Sequence, residues 1–178
     1  MGSQHAEQRR ESFRQVRLMD EKLRVVFNSP QCGWMSLELR AGAHSLAETV
    51  SYTPYDSLAD LIYALGKILG GEAEAIVRWA HDPDEMDFKF SASGDEARLE
   101  VAWYKNHLRV AGTGENVFSF AGSRLDVCRP FWKALRGLRG DVEVDEFARN
   151  WHREFPEREL RRLTEEIKTY RPKSALGA

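Results

Sequence analysis

The amino-acid sequence predicts an α+β fold: an antiparallel β-sheet arranged as a meander, helices packed mainly on one face, and a helical C-terminus. Residues 73–79, 86–90 and 97–103 alternate apolar and polar side chains and are separated by turn-forming residues at 82–84 and 93–95. This pattern is typical of antiparallel strands. Strands and helices do not alternate regularly along the chain, as they would in a parallel βαβ fold.

Three more strands are expected before the meander. Residues 22–28 are rich in β-branched and aromatic side chains and end at a Ser-Pro pair, which favours a strand. Residues 34–40 place alternate apolar side chains on one face. Gly42 then allows a turn, and residues 46–52 are expected to return as the third strand.

Residues 56–71 form the clearest predicted helix, because their apolar side chains recur at i, i+3, i+4 and i+7. We expect Asp56 or Ser57 to accept hydrogen bonds from the first backbone N–H groups, with Asp60 completing a capping box. A Gly-Gly pair ending at Gly71 is expected to terminate the helix. Such a helix should pack its apolar stripe across a sheet.

The second half of the chain is expected to add strands and then helices. Residues 107–111 and 116–121 read as two strands around a Gly-rich turn. Further helices are expected at residues 123–137, with Ser123 as the cap, and at 145–154 and 157–170. The predicted organisation is a flexible N-terminal arm at 1–21, one domain at 22–170 and a C-terminal tail at 171–178.

Composition excludes several classes of function. The net charge of −2 comes from 26 basic and 28 acidic residues, so the chain lacks the positive field of a typical nucleic-acid-binding protein. No apolar stretch is long enough to span a membrane and no secretory signal is seen, so we expect a cytoplasmic protein. Cys32 and Cys128 lack CxxC spacing, and both are expected as reduced thiols, Cys128 packed in the core. No cofactor and no catalytic residue is expected.

The most chemically suggestive stretch joins His81 to four carboxylates, those of Asp82, Asp84, Glu85 and Asp87. A hairpin turn explains the Asp and Pro residues on backbone grounds alone. A metal site formed by His81, Asp84 and Glu85 is an alternative, since imidazole and carboxylates are ordinary metal ligands. An exposed acidic patch that meets a basic partner is a third.

Four aromatic side chains fit no single buried stripe: Trp34, Tyr52, Tyr55 and Trp151. Tryptophan and tyrosine are residue types that anchor protein interfaces. We therefore expect Trp34 and Tyr55 to contribute to a partner-binding surface, with core packing as the alternative.

Several short segments resemble a group of small bacterial proteins. They are Trp34-Met-Ser-Leu-Glu-Leu, Ser51-Tyr-Thr-Pro-Tyr-Asp, Trp79-Ala-His-Asp-Pro-Asp-Glu-Met and, following Trp151, Phe155-Pro156-Glu-Arg-Glu-Leu. In this order they are similar to families without a characterised function, some grouped with the immunity proteins of polymorphic toxin systems. The likeness covers most of residues 22–168 and transfers no catalytic residue. It implies a protein that binds and neutralises a partner protein.

These observations favour a non-enzymatic cytosolic module that binds a protein, a toxin by the resemblance. The expected contact residues are Trp34, Tyr55, Asp82, Asp84, Glu85 and Asp87. The alternative is a small metal-dependent enzyme or metal-binding protein that uses His81 with Asp84 and Glu85. A homo-oligomeric or ligand-binding domain is a third hypothesis. No nucleic acid and no membrane is expected as a partner.

Overall fold

The computed structural model describes residues 21–110, 112–141 and 144–172. Within these ranges the strands are β1 Arg24–Phe27, β2 Trp34–Ala41, β3 His44–Ser51, β4 Glu74–His81, β5 Asp84–Ser93, β6 Glu96–Tyr104 and β7 Glu115–Ser123. The helices are α1 Ser57–Gly70, α2 Arg124–Asp141, α3 Val144–Trp151 and α4 Glu157–Thr169. The predicted N-terminal arm and C-terminal tail lie almost wholly outside the described residues.

The seven strands form one sheet in the order β1 to β7, and every neighbouring pair is antiparallel. The predicted α+β class with an antiparallel meander is therefore confirmed. The weakest join is between β3 and β4, which pair only at Ser51 and Ala80. β3 also contacts β7, although three strands lie between them in the sheet. The ring of Phe27 on β1 likewise lies 6.2 Å from the ring of Trp79 on β4. The sheet thus curves around its apolar face.

The core lies between the apolar face of the sheet and the helices. α1 packs on β4, while α2 contacts β1, β6 and β7. Trp79, Phe88 and Leu99 on the sheet are fully buried, and so are Leu58 and Leu65 on α1. Since each large apolar side chain contributes about 1.5 to 3 kcal/mol on burial, this layer holds the fold together. The expectation that helices cover mainly one face is confirmed.

The ends of α1 agree only in part with the sequence. Gly71 lies in the left-handed region at φ 107°, and the N–H of Glu72 donates to Lys67 O at 3.0 Å, so the glycine ends the helix as expected. The predicted capping box is wrong, because Asp56 makes no side-chain cap. Ser57 instead donates its hydroxyl to Arg78 O at 2.6 Å, which ties the helix to β4.

A reciprocal cap does form at α2, where Ser123 was expected to cap. The Asp126 N–H donates to Ser123 Oγ and the Ser123 N–H donates to Asp126 Oδ2, both at 3.1 Å. These bonds satisfy backbone donors that the first helical turn leaves free.

The predicted strand at 107–111 is wrong. Its described residues belong to the β6–β7 loop, residues 105–114, of which Ala111 lies outside the description. Leu108 and Val110 are 68% and 60% exposed, and Arg109 between them has φ 47°. The alternation that suggested a strand therefore has its apolar side chains in solvent and its charged side chain turned toward the sheet.

Candidate functional site

Strand register places one row of side chains across the sheet on the face opposite the helices, called the outer face here. Trp34 pairs with Ser51, Ser51 with Ala80, Ala80 with Glu85, and Glu85 with Tyr104. Directly paired residues share a face, so five strands contribute to this row. Trp34 and Tyr104, 70 positions apart in the sequence, thus lie at the two ends of one row.

A groove of about 480 Å³ opens at this row. Its lining includes Trp34, Pro54, Asp82, Asp84, Glu85 and His107, and we call it the Trp34 groove. Four of the six residues expected from the sequence to contact a partner therefore line one concave surface. Of the other two, Tyr55 donates its hydroxyl to Glu85 Oε1 at 2.9 Å, and Asp87 follows Glu85 on the same face of β5.

The carboxylates of the hairpin differ in exposure. Asp82 is exposed and Asp84 half-buried, whereas Glu85 and Asp87 are only 4% and 6% exposed. The expectation of an exposed acidic patch is therefore wrong for Glu85 and Asp87. Both belong to strand β5 and not to the turn, and Arg109 covers them from the β6–β7 loop.

Arg109 forms ion pairs with both buried carboxylates. Its Nε contacts Glu85 Oε2, its Nη1 lies 2.6 Å from Asp87 Oδ2, and its guanidinium stands 4.8 Å from the Tyr104 ring centroid. Burial lowers the pKa of Arg109, but the hydrogen bonds and charges of Asp87 and Glu85 outweigh that effect, so its pKa is raised. The charged form of Arg109 is therefore stabilised beside the two buried carboxylates.

Two more cations lie beside the ion pairs that Arg109 forms with Glu85 and Asp87. Arg78 pairs in register with Asp87 and its guanidinium lies 5.9 Å from the Tyr55 ring centroid. Lys89 donates to the Tyr104 hydroxyl at 3.2 Å. The outer face beside the groove is therefore a connected polar surface. Such a network holds side chains in fixed positions when its members are hydrogen-bonded.

The three proposed metal ligands have separate partners. The Nδ1 atom of His81 lies 2.5 Å from Thr49 O, so Nδ1 carries a proton, and Nε2 is 3.6 Å from Glu48 Oε2. Asp84 accepts from Trp103 Nε1 at 3.0 Å, and Glu85 is held by the outer-face contacts described above.

Strand geometry explains the separation. His81 and Asp84 pair on one face, and Glu85 points to the other because side chains alternate along a strand. In the described ranges, no group of three or more His, Cys, Asp or Glu residues is placed to hold a metal ion. The structure gives the metal hypothesis no support, and it stays untested.

Cys128 lies in the core as expected, whereas Cys32 lies at the surface. Cys32 is exposed and Cys128 is fully buried. Burial raises the pKa of the Cys128 thiol to about 12, against a small lowering by Arg124. Its sulfur lies 3.9 Å from Leu65 O. A buried thiol of this kind packs and is not a nucleophile.

Sequence reasoning missed Arg109, Arg78 and Tyr104 as parts of the outer face. Arg109 lies between two apolar residues, a pattern that favoured a strand. The available signal was the four carboxylates between residues 82 and 87, which outnumber the two cations of the same hairpin, Arg78 and Lys89. Buried carboxylates require a basic partner, but nothing in the sequence identifies which arginine supplies it.

A scan against models of protein families finds no match to this chain, and searches of curated proteins and of solved structures find none either. The resemblance to immunity proteins therefore stays a prediction. None of the described helices is long and apolar enough to cross a membrane.

Proposed function

We propose that this chain is a non-enzymatic cytoplasmic protein that binds another protein through the Trp34 groove. The observation that carries the proposal is the meeting of an exposed indole and two accessible carboxylates, those of Trp34, Asp82 and Asp84, in one concave surface. Each was expected at an interface for a separate reason. Their convergence supports a single contact surface.

The chemistry of the groove favours a basic partner. Trp34 is 39% exposed and offers an aromatic surface, the kind of anchor that carries much of the binding energy at interfaces. Asp82 is exposed in the turn and Asp84 is half-buried at the start of β5, and their charges attract a cationic group. The partner is expected to present an apolar side chain flanked by lysine or arginine. By the resemblance, that partner is a toxin neutralised by the contact.

The polar groups of the groove are suited to holding a shape and not to moving protons. Asp84 accepts from the Trp103 indole, and Glu85 is bonded to Tyr55 and paired with Arg109. A general acid or base needs a side chain free to exchange a proton with substrate. In the isolated chain these carboxylates are engaged by their neighbours, which supports binding without chemistry.

The test compares binding partners of matched variants. Tagged wild-type chain, D82N/D84N and W34A would be used to isolate proteins from cells of the native source. Two controls carry the same chemical changes elsewhere: E74Q/E96Q at the opposite end of the meander, and Y63A at an aromatic residue that is 61% exposed on α1. The true partner is retained by wild type and both controls and lost or reduced with W34A and D82N/D84N.

The affinity of that purified partner would then be measured directly. W34A is expected to weaken binding about tenfold to a hundredfold. D82N/D84N is expected to slow association about threefold to tenfold at low salt and to reduce its salt dependence. Equal affinity of both variants and wild type would refute the groove as the contact surface. A partner that stops growth when expressed alone, and not when expressed with the wild-type chain, would establish neutralisation.

A further inference from the structure

The outer face contains a second recognition element beneath the groove. Glu85 and Asp87 are two residues apart on β5, so both carboxylates project from the same face. Their side chains are only 5% and 8% exposed. Burying two like charges this closely is unfavourable unless a cation lies between them. The pair therefore forms a cation site of defined shape.

The shape of this site fits a guanidinium better than an ammonium. Arg109 presents Nε to Glu85 and Nη1 to Asp87, using two different nitrogens for two carboxylates. Its plane is also within reach of the Tyr104 ring, with the guanidinium carbon 4.8 Å from the ring centroid. A lysine ammonium is a single point charge and cannot make both contacts with the same geometry.

Arg109 does not satisfy the site completely. Asp87 Oδ1 and Arg109 Nη2 are both buried without a hydrogen-bond partner among the described residues. The Asp87 side chain is more than nine-tenths buried, so its second oxygen is an acceptor that the present occupant leaves unused. A guanidinium approaching at a slightly different angle would use it.

The residue that fills the site comes from a loop. Arg109 belongs to the β6–β7 loop and has φ 47°, a sparsely populated conformation for a residue other than glycine. Among the described residues of this loop, the other hydrogen bonds stay within it, from Leu108 N to Asn106 Oδ1 and from Thr113 N to Val110 O. The Arg109 side chain thus anchors the loop to the sheet, and its release would free the loop without breaking a strand.

We propose that Glu85 and Asp87 form an arginine-binding site, filled by Arg109 in the isolated chain and open to an arginine side chain of the protein partner when the loop moves. This proposal rests on the proposed function, because the outside ligand is part of that partner. Glu85 lines the Trp34 groove and also holds Arg109. An arginine bound in the groove would therefore reach the carboxylate that Arg109 occupies.

The first experiment removes the Arg109 side chain and adds a small arginine compound as a probe. R109A would be titrated with N-acetyl-L-arginine amide. Binding would be measured from the melting temperature of the variant and from the backbone amide resonances of β5. We expect saturable binding and a rise of about 3 to 6 °C at about ten times the dissociation constant. Lysine amide should bind at least about tenfold more weakly, and the uncharged citrulline amide should not bind.

Two further variants keep the result interpretable. E85Q/D87N/R109A lacks the carboxylates and should show no response to the arginine probe. If R109A does not fold, R109Q keeps a polar side chain of intermediate length and would take its place. Absence of a response in the folded arginine variant, or an equal response to lysine amide, would overturn the site.

The second experiment asks whether Arg109 exchanges in the wild-type chain. The effective concentration of a tethered group on a short flexible segment is on the order of millimolar, so about 50 mM arginine probe competes with it. Hydrogen exchange at Leu108 and Val110 is expected to accelerate severalfold with this probe and not with citrulline amide. Unchanged exchange would show a permanently closed site and overturn the proposal. Both experiments omit the partner, so their failure is distinct from failure of the Trp34 groove as a protein contact.

Discussion

Arg124 offers a direct test of how the fold is joined, because its buried guanidinium connects three segments. It is 5% exposed at the start of α2. Its Nη1 donates to Ile68 O in the last turn of α1 and to Glu72 O at 3.0 Å, and its Nε donates to Gly94 O at 2.7 Å. A cation at the carbonyl end of a helix is also favoured by the helix dipole. The perturbation is Arg124→Met, which keeps an unbranched side chain of similar length.

The cost follows from the bonds that the substitution removes. A hydrogen bond from a charged group contributes about 1.5 to 3 kcal/mol, and a buried carbonyl left without a donor costs about 1 to 3 kcal/mol. Three bonds from one side chain are not additive, and the methionine retains apolar contact. We expect the free energy of unfolding to fall by about 3 to 5 kcal/mol, which is large against a typical total of about 5 to 15 kcal/mol.

Urea denaturation followed by tryptophan fluorescence measures this change. With a slope of about 2 kcal/mol per molar urea, the midpoint should fall by about 1.5 to 2.5 M at unchanged slope. Arg124→Lys should lie between wild type and Arg124→Met, since an ammonium cannot reach all three carbonyls. Arg158→Met is the control, because that side chain is 94% exposed, and it should change stability by less than about 0.5 kcal/mol. A loss below about 1 kcal/mol in Arg124→Met would refute the reasoning.

Two further predictions follow from the titrating groups. Because burial raises the pKa of Cys128 to about 12 and Cys32 is exposed, a thiol reagent at about pH 8 should modify one thiol per native chain and a second only in denaturant; fast modification of both would contradict the burial. Burial first, then the hydrogen bond to Asp95 and its charge, raises the pKa of Tyr170 to about 12. The folded chain then keeps a proton that the unfolded chain releases near its usual pKa of about 10, so stability falls as pH rises from about 10 to 12. Tyr170→Phe should show a shallower fall in melting temperature over that window, and an unchanged profile would remove Tyr170 as the cause.

The parts of the fold that the sequence predicted are those determined by local periodicity. The strands from Glu74–His81 to Glu96–Tyr104 and the helix Ser57–Gly70 each have one apolar face that only one secondary structure can bury. The capping box at Asp56 failed because Ser57 donates to Arg78 O, a contact 21 positions away. Tertiary hydrogen bonds of this kind compete with local caps and leave no trace in a short window of sequence.

The candidate site depended on the same difference between local and distant contacts. Asp82 is exposed because a turn keeps its polar residues near solvent whatever packs elsewhere, and Asp84 is half-buried at the start of β5. Glu85 and Asp87 belong to a strand, and their exposure is decided by what covers the outer face. That cover is Arg109, 24 positions beyond Glu85, held on a loop whose sequence resembled a strand. A carboxylate that reads as solvent-exposed in a strand is therefore a reason to search the neighbouring loops for an arginine.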